Sequence, residues 1–156
     1  MYLGIQEGFS VDNVEYLERE LKFKPKLLVG EFSKKDREKC IKKKYLIQNS
    51  FDALLNKKKN IKFKIPKKLI KFIKKHEKIY KPMCSRFEYN KNDFDDNSIN
   101  NYINIALVNW YSFIIEKKIN LVFFLDSPHR IYDYIIYLIC KFKKIPTIYF
   151  RDPNFD

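Results

Sequence analysis

The stretch KINLVFFLDSPHRIYDYIIYLICKFKKIPTIYF, residues 118–150, decides the fold. Asn120 to Leu125 is an apolar run of strand length. A strand apolar on both faces belongs inside a sheet that is covered on both sides. A polar loop follows, Asp126-Ser127-Pro128-His129. A helix is predicted from about Pro128 to Phe142, with Ser127 as its N-cap and Pro128 as its first helical residue. Lys143 and Lys144 lead into a second strand, Ile145 to Phe150. Strand, helix and strand in about 30 residues form the repeating unit of a parallel sheet.

Working outward, the amino terminus has the same grammar. Tyr2 to Ile5 is a short apolar segment, closed by Gly4 and Gly8. Ser10 can cap a helix on which Val11, Val14, Leu17 and Leu21 recur at helical spacing, and Pro25 stops it. Leu27 to Val29 with Gly30 is a buried strand. Two such units predict an α/β fold: three layers around a mainly parallel sheet, in one domain spanning residues 1–156.

The middle of the chain is harder to order. Cys40, Tyr45 to Ile47, Phe51, Leu54 and Leu55 suggest one or two exposed helices, and Ile61, Phe63 and Ile65 alternate with Lys as a guarded edge strand would. Pro66 opens a helix whose stripe is Leu69, Phe72, Ile73, His76, Ile79 and Tyr80, and Pro82 ends it. Residues 84–98 are polar and acidic, the candidate mobile loop. Ser98 can cap a helix over about 99–117, with its stripe on Ile99, Tyr102, Ile103, Ala106, Leu107, Trp110, Phe113 and Ile114.

Charge is concentrated. The formal net charge is +13, and the window 57–81 alone holds 12 Lys against the single Glu77. Lysine outnumbers arginine 27 to 5 and alanine occurs twice, the residue usage of an AT-rich genome. Part of the lysine excess is therefore compositional. A protein reading phosphates bidentately would use more Arg, and the aromatics of 66–81 fall on the apolar stripe rather than among the lysines. Nucleic acid is thus a weak partner for this stretch. A lysine face of Lys67, Lys71, Lys74 and Lys78 is either simply solvated, with the apolar stripe packed on the sheet, or lies on an anionic membrane surface, which suits it better than nucleic acid.

Other classes are excluded. Three cysteines without a Cys-x-x-Cys pair make neither a disulfide framework nor a structural zinc site, and read as reduced, buried thiols. Two histidines, His76 and His129, cannot make a multi-histidine metal site, so no metal is expected. His76 lies on an apolar helix face, a packing position. The apolar runs fall short of the roughly 18–20 residues a spanning helix needs, and the first 21 residues lack a signal-peptide pattern. The expected location is the cytoplasm, peripheral on the inner face of the membrane.

The loop after strand 120–125 carries the chemistry. In open α/β sheets ligands bind at the carboxyl ends of strands. His129, read as a first-turn residue, would be kept neutral by the positive end of the helix dipole and so suit a general base. Asp126 could accept a substrate hydroxyl or hold that imidazole. Ser127, Arg130 and Asp133 complete the candidate substrate-binding set; Asp133 also suits the helix start.

The run from Lys118 to Tyr137, followed by Lys144-Ile-Pro-Thr-Ile-Tyr-Phe150, resembles the amino-terminal domain of bacterial capsular or surface-polysaccharide biosynthesis proteins, which are similar to GT-B glycosyltransferases. The matching pattern is a strand, Asp-x-Pro-His, three residues, an Asp-Tyr helix and an Ile-Pro strand. The resemblance implies a Rossmann-like domain on the acceptor side of glycosyl transfer, with His129 or Asp126 deprotonating a sugar or lipid-linked acceptor. It implies no tightly bound cofactor. The nucleotide-sugar donor would be held mainly by a second, carboxyl-terminal domain, so that this chain would be an amino-terminal fragment without turnover of its own. A non-catalytic nucleotide-sugar or phosphate-binding module is the alternative; a basic nucleic-acid-binding protein is a weaker one.

Overall fold

The computed structural model describes residues 2–6, 11–22, 25, 27–30, 32–49, 63–84, 96–124 and 127–149. In chain order the elements are β1 (Tyr2–Gln6), α1 (Val11–Leu21), β2 (Leu27–Gly30), α2 (Lys34–Lys43), β3 (Leu46–Asn49), α3 (Lys67–Lys74), α4 (Glu77–Cys84), α5 (Asp96–Glu116), β4 (Leu121–Phe124), α6 (Ile131–Lys143) and β5 (Thr147–Tyr149). The fold is α/β. Five strands form one sheet in the order β3-β2-β1-β4-β5, and every pairing is parallel.

β1 is the centre of that sheet. Gly4 pairs with Leu28 on one side and Phe123 on the other, so it lies within the strand and does not close it. From β1 the chain steps outward to β2 and β3, returns to the other side of β1 as β4, and steps outward again to β5. Parallel crossovers are almost always right-handed, so helices that serve opposite stepping directions fall on opposite faces. Two apolar clusters are present. Leu28 packs with Val11, Val14, Phe32, Cys40 and Tyr45 beside α1 and α2. Its strand neighbours Leu27 and Val29, with Val122 and Phe124 of β4, join the larger cluster of α3 to α6. Alternate residues of β2 thus feed two cores, which is why Leu27, Leu28 and Val29 are all buried.

α6 is the most enclosed helix. Residues 131–136 and 138–140 are all buried, because the sheet lies beneath it and α3, α4 and α5 flank it. A helix apolar nearly all round is what such a position demands. α5 presents the expected stripe: Ile103, Ala106, Leu107, Trp110 and Ile114 are buried, with Ile99, Tyr102 and Phe113 packed at the margin.

Helix ends are closed by an unusual residue choice. Lys22, Lys44, Lys118 and Lys144 all have positive φ, between 50° and 59°. At Lys44, Lys118 and Lys144 the backbone makes the paired bonds of a Schellman turn. Tyr45 N–H donates to the Cys40 carbonyl, Ile119 N–H to that of Ile114 and Ile145 N–H to that of Cys140, at 2.9–3.0 Å. In each pair the first-named apolar residue meets a buried one across the turn. Glycine normally takes this position, since a side chain there costs about 1–2 kcal/mol. Lysine recovers part of that through its favourable charge at the helix carboxyl end.

Several expectations are corrected. Tyr45 to Ile47 is not helical: Leu46–Asn49 is β3, and only Lys34–Lys43 is a helix there, capped by Ser33. Residues 63–66 form no strand; Phe63 and Ile65 pack against the larger core instead. Residues 61–62 and 51–55 lie outside the described residues. The helix expected over 66–81 is two helices, with a turn at Lys75–His76, and Pro82 lies inside α4 rather than ending it. Pro66 is the residue before α3, in extended backbone. The interval 84–98 is not loop throughout: Cys84 closes α4 and α5 begins at Asp96, two residues before the expected cap Ser98; residues 85–95 lie outside the described set. His76 is a packing residue, its Nδ1 3.0 Å from the Phe72 carbonyl and its ring against that of Phe72.

Two outcomes follow from burial and capping. Cys40 and Cys140 are free and fully buried, and burial raises both thiols, that of Cys140 to about 12. Thiol-specific reagents at pH 8 should leave both unlabelled in the native protein and label them in urea, read by mass spectrometry of tryptic peptides. Asp36 accepts from the Ser33 hydroxyl at 2.5 Å and from Val11 N–H at 3.4 Å, tying α2 to the start of α1. The Ser33 hydrogen bond, with the Val11 N–H and Lys39 adding to it against partial burial, holds its carboxyl below the usual carboxylate range. A lowered folded pKa stabilises above the unfolded pKa of about 3.9 and is lost as pH falls through the folded value. Asp36→Asn should therefore lower the urea midpoint at pH 7 and converge with the parent protein in strong acid.

Candidate functional site

β4 ends at Phe124, paired with Ile5 of β1. The chain re-emerges into the described residues at Ser127 and enters α6 at Ile131. Residues 127–130 therefore follow the carboxyl end of β4, beside the place where the strand order reverses direction from β1. That crevice is the preferred ligand position of open parallel sheets.

The helix begins later than its sequence suggests. Ser127 and Pro128 are not the cap and first turn: Arg130 is the N-cap, in extended backbone (φ −104°, ψ 158°). The reason is Asp133. Its carboxylate accepts from Arg130 N–H at 2.9 Å and from His129 N–H at 3.3 Å, so two loop amides that precede the helix are held by one side chain at its third position. This is the reciprocal half of a capping box. Asp133 is 6% exposed, the one buried charged residue among the described residues. Its cost of burial is offset by those amides and by the positive helix end. Asp133 is thus a positioning residue for the loop.

His129 is half-buried and lies outside the first turn, two residues before the helix. Its Nδ1 is 2.9 Å from the Ser127 carbonyl. A carbonyl only accepts, so Nδ1 carries a proton, and in the tautomer with its one proton there the acceptor of the ring is Nε2. A local backbone bond orients the imidazole, and the ring lies before the helix rather than in the first turn where the dipole was expected to act. Ser127 contributes its carbonyl, with its side chain at an exposed position, and Arg130 is exposed beside it.

The loop thus brings Ser127, His129, Arg130 and Asp133 together. Asp126 lies outside the described residues. Lys67, Lys71, Lys74 and Lys78 lie elsewhere, on α3 and α4. Phe72 of α3 meets Phe142 near the far end of α6, with ring centroids 5.8 Å apart. Sequence reasoning placed Asp133 among the binding residues and missed that it organises the loop; the Arg-x-x-Asp spacing before an apolar run was the available signal. It also missed the exposure of Ile70 and Ile79, described below. Among the described residues no group of three or more His, Cys, Asp or Glu could hold a metal ion, and no helix is long and apolar enough to cross a membrane. Compared with protein-family models, curated proteins and solved structures, the chain gives no match.

The roles of the two residues separate in stability. Asp133→Ala should destabilise by about 1–3 kcal/mol, since two partly buried amides lose their acceptor. His129→Ala, removing one locally bonded ring, should stay within about 0.5–1.5 kcal/mol. Urea denaturation of both variants checks this.

Proposed function

We propose that this chain is the acceptor-side domain of a glycosyltransferase-like protein of bacterial surface-polysaccharide assembly, built as the three-layer, Rossmann-like half of a GT-B architecture. The strand order β3-β2-β1-β4-β5, parallel throughout, supports the fold assignment, since doubly wound nucleotide-binding sheets begin 3-2-1-4-5. So does the division of the core between the sheet's two faces.

The observation that carries the functional reading is the His129 imidazole, oriented by the Ser127 carbonyl in the loop after β4. In transfer, an acceptor hydroxyl oxygen attacks the anomeric carbon of a nucleotide-activated sugar. The bond from that carbon to the nucleoside diphosphate breaks, the diphosphate leaves with the electron pair, and the hydroxyl proton passes to Nε2 of His129. Ser127 and Arg130 border the acceptor, Asp133 holds the loop, and Asp126 is a further candidate for the hydroxyl. The donor is carried by the other domain of that architecture.

A charge argument favours a hydroxyl over a phosphate here. The Asp133 carboxylate already occupies the helix start, bonded to the amides of residues 129 and 130. An anionic ligand would meet that charge; a neutral sugar would not.

Amide chemical shifts of the ¹⁵N-labelled chain test the reading against methyl glycosides, UDP and inorganic phosphate. Glycoside-dependent shifts at Ser127, His129 and Arg130 support it. Shifts there with UDP or phosphate alone would indicate the binding-module alternative, and no response to any of the three would overturn both. In a protein carrying the donor domain as well, His129→Ala should lower transfer about a hundredfold, the usual contribution of a general base. Unchanged transfer would remove His129 from the mechanism.

A further inference from the structure

The helix pair α3–α4 turns one side inward: Leu69, Ile73 and Tyr80 are buried, with Phe72 and Met83 packed at the margin of the core. Its outer side is cationic. Residues 63–84 contain eight Lys, no Arg and one acidic residue, Glu77, which pairs with Lys81 at 2.7 Å. Lys67, Lys68, Lys71, Lys74, Lys75 and Lys78 are all exposed, and none has a carboxylate within ion-pair distance among the described residues.

Two large apolar side chains are exposed on the same helix pair. Ile70 is 38% exposed and Ile79 49%. On a helix, residues three and four apart are surface neighbours. Ile70 therefore has Lys67 and Lys74 along its face and Lys71 beside it; Ile79 has Lys78 beside it. Ile79, counted on the inward stripe by its spacing, is exposed, while Tyr80, seven residues after Ile73, stays buried.

Apolar side chains ringed by ammonium groups on long flexible stems suit the interface of an anionic bilayer. The isoleucines can enter the boundary of the acyl chains while the lysines reach the headgroup charges. A nucleic-acid surface would call for Arg forks or exposed stacking rings. Residues 63–84 contain no Arg, and their aromatics are turned toward the core.

We infer that the outer side of α3–α4 docks on an anionic lipid surface, with Ile70 and Ile79 inserting and Lys67, Lys71, Lys74 and Lys78 supplying the attraction. Its α3 part lies away from the loop at 127–130. Phe72 packs near the carboxyl end of α6, and 13 helical residues span about 20 Å. The inference is therefore independent of glycosyl transfer, and a His129→Ala protein should dock as well as the parent.

Co-sedimentation with vesicles of phosphatidylcholine mixed with phosphatidylglycerol, against phosphatidylcholine alone, tests it. The expected result is binding to the anionic vesicles that is at least a hundredfold stronger at low salt and falls steeply toward about 0.5 M salt, where screening shortens to a few ångströms. Each lysine near such a surface contributes about fivefold in partitioning. The fourfold Lys67, Lys71, Lys74 and Lys78→Gln variant should accordingly lose at least about a hundredfold. Ile70→Asn with Ile79→Asn should lose about tenfold while keeping the salt dependence. Circular dichroism and the urea midpoint report whether each variant folds. If the fourfold variant does not, Lys71→Gln and Lys78→Gln singly should each lose about fivefold. Equal binding to both vesicle types, binding that persists undiminished at high salt, or full binding by the lysine variants would overturn the proposal. So would failure to bind vesicles alongside tight binding of a mixed-sequence oligonucleotide, which would assign the surface to nucleic acid.

Discussion

The burial of α6 is the constraint on which the rest of the structure depends. A helix enclosed over most of its length by a sheet and three other helices still has unpaired backbone groups at its ends, where Arg130, Lys143 and Lys144 are exposed. Both ends are met locally, by the Asp133 carboxylate at the start and by the Schellman turn at Lys144 and Ile145 at the finish. The same requirement shapes the candidate site. Asp133 must reach back to the amides of 129 and 130, and this fixes the path of the loop that presents His129. Packing and chemistry meet in that one carboxylate.

What was legible in the sequence was whatever repeats a period over a long enough run. α5, with eight stripe residues, and the β4–loop–α6–β5 unit were read with ends displaced by one to three residues. β1, α1 and β2 were read from spacing and from Pro25. β3 was not, because Leu46–Asn49 has four residues, its alternation is too short to establish a period, and lysines crowd its approach. The parallel register of its neighbours decides it, and that information is non-local. The break between α3 and α4 was hidden for a different reason. Its stripe fits one helix on paper, while the turn at Lys75–His76 has no proline or glycine to mark it.

At the site, the residue types were legible and their geometry was not. Ser-Pro before an apolar run is a common helix start, and here the Asp133 carboxylate overrides it by capping three residues later. A side chain that bonds backwards competes with one that bonds forwards, and local propensity alone does not rank the two. The candidate loop lies at the start of α6, and Phe72 of α3 packs near its finish.

The left-handed lysines connect this architecture to the genome that encodes it. Lysine codons are rich in A and glycine codons in G, so a strong base-composition bias presses lysine into positions where backbone geometry prefers glycine. The chain has 3 Gly in 156 residues, and lysine takes the left-handed position after each of α1, α2, α5 and α6. The left-handed backbone at these lysines carries a torsional cost on the order of 1 kcal/mol at each turn. The apolar contacts across those turns must outweigh it. Such a fold holds an unspent reserve of stability, open to any lineage whose base composition relaxes.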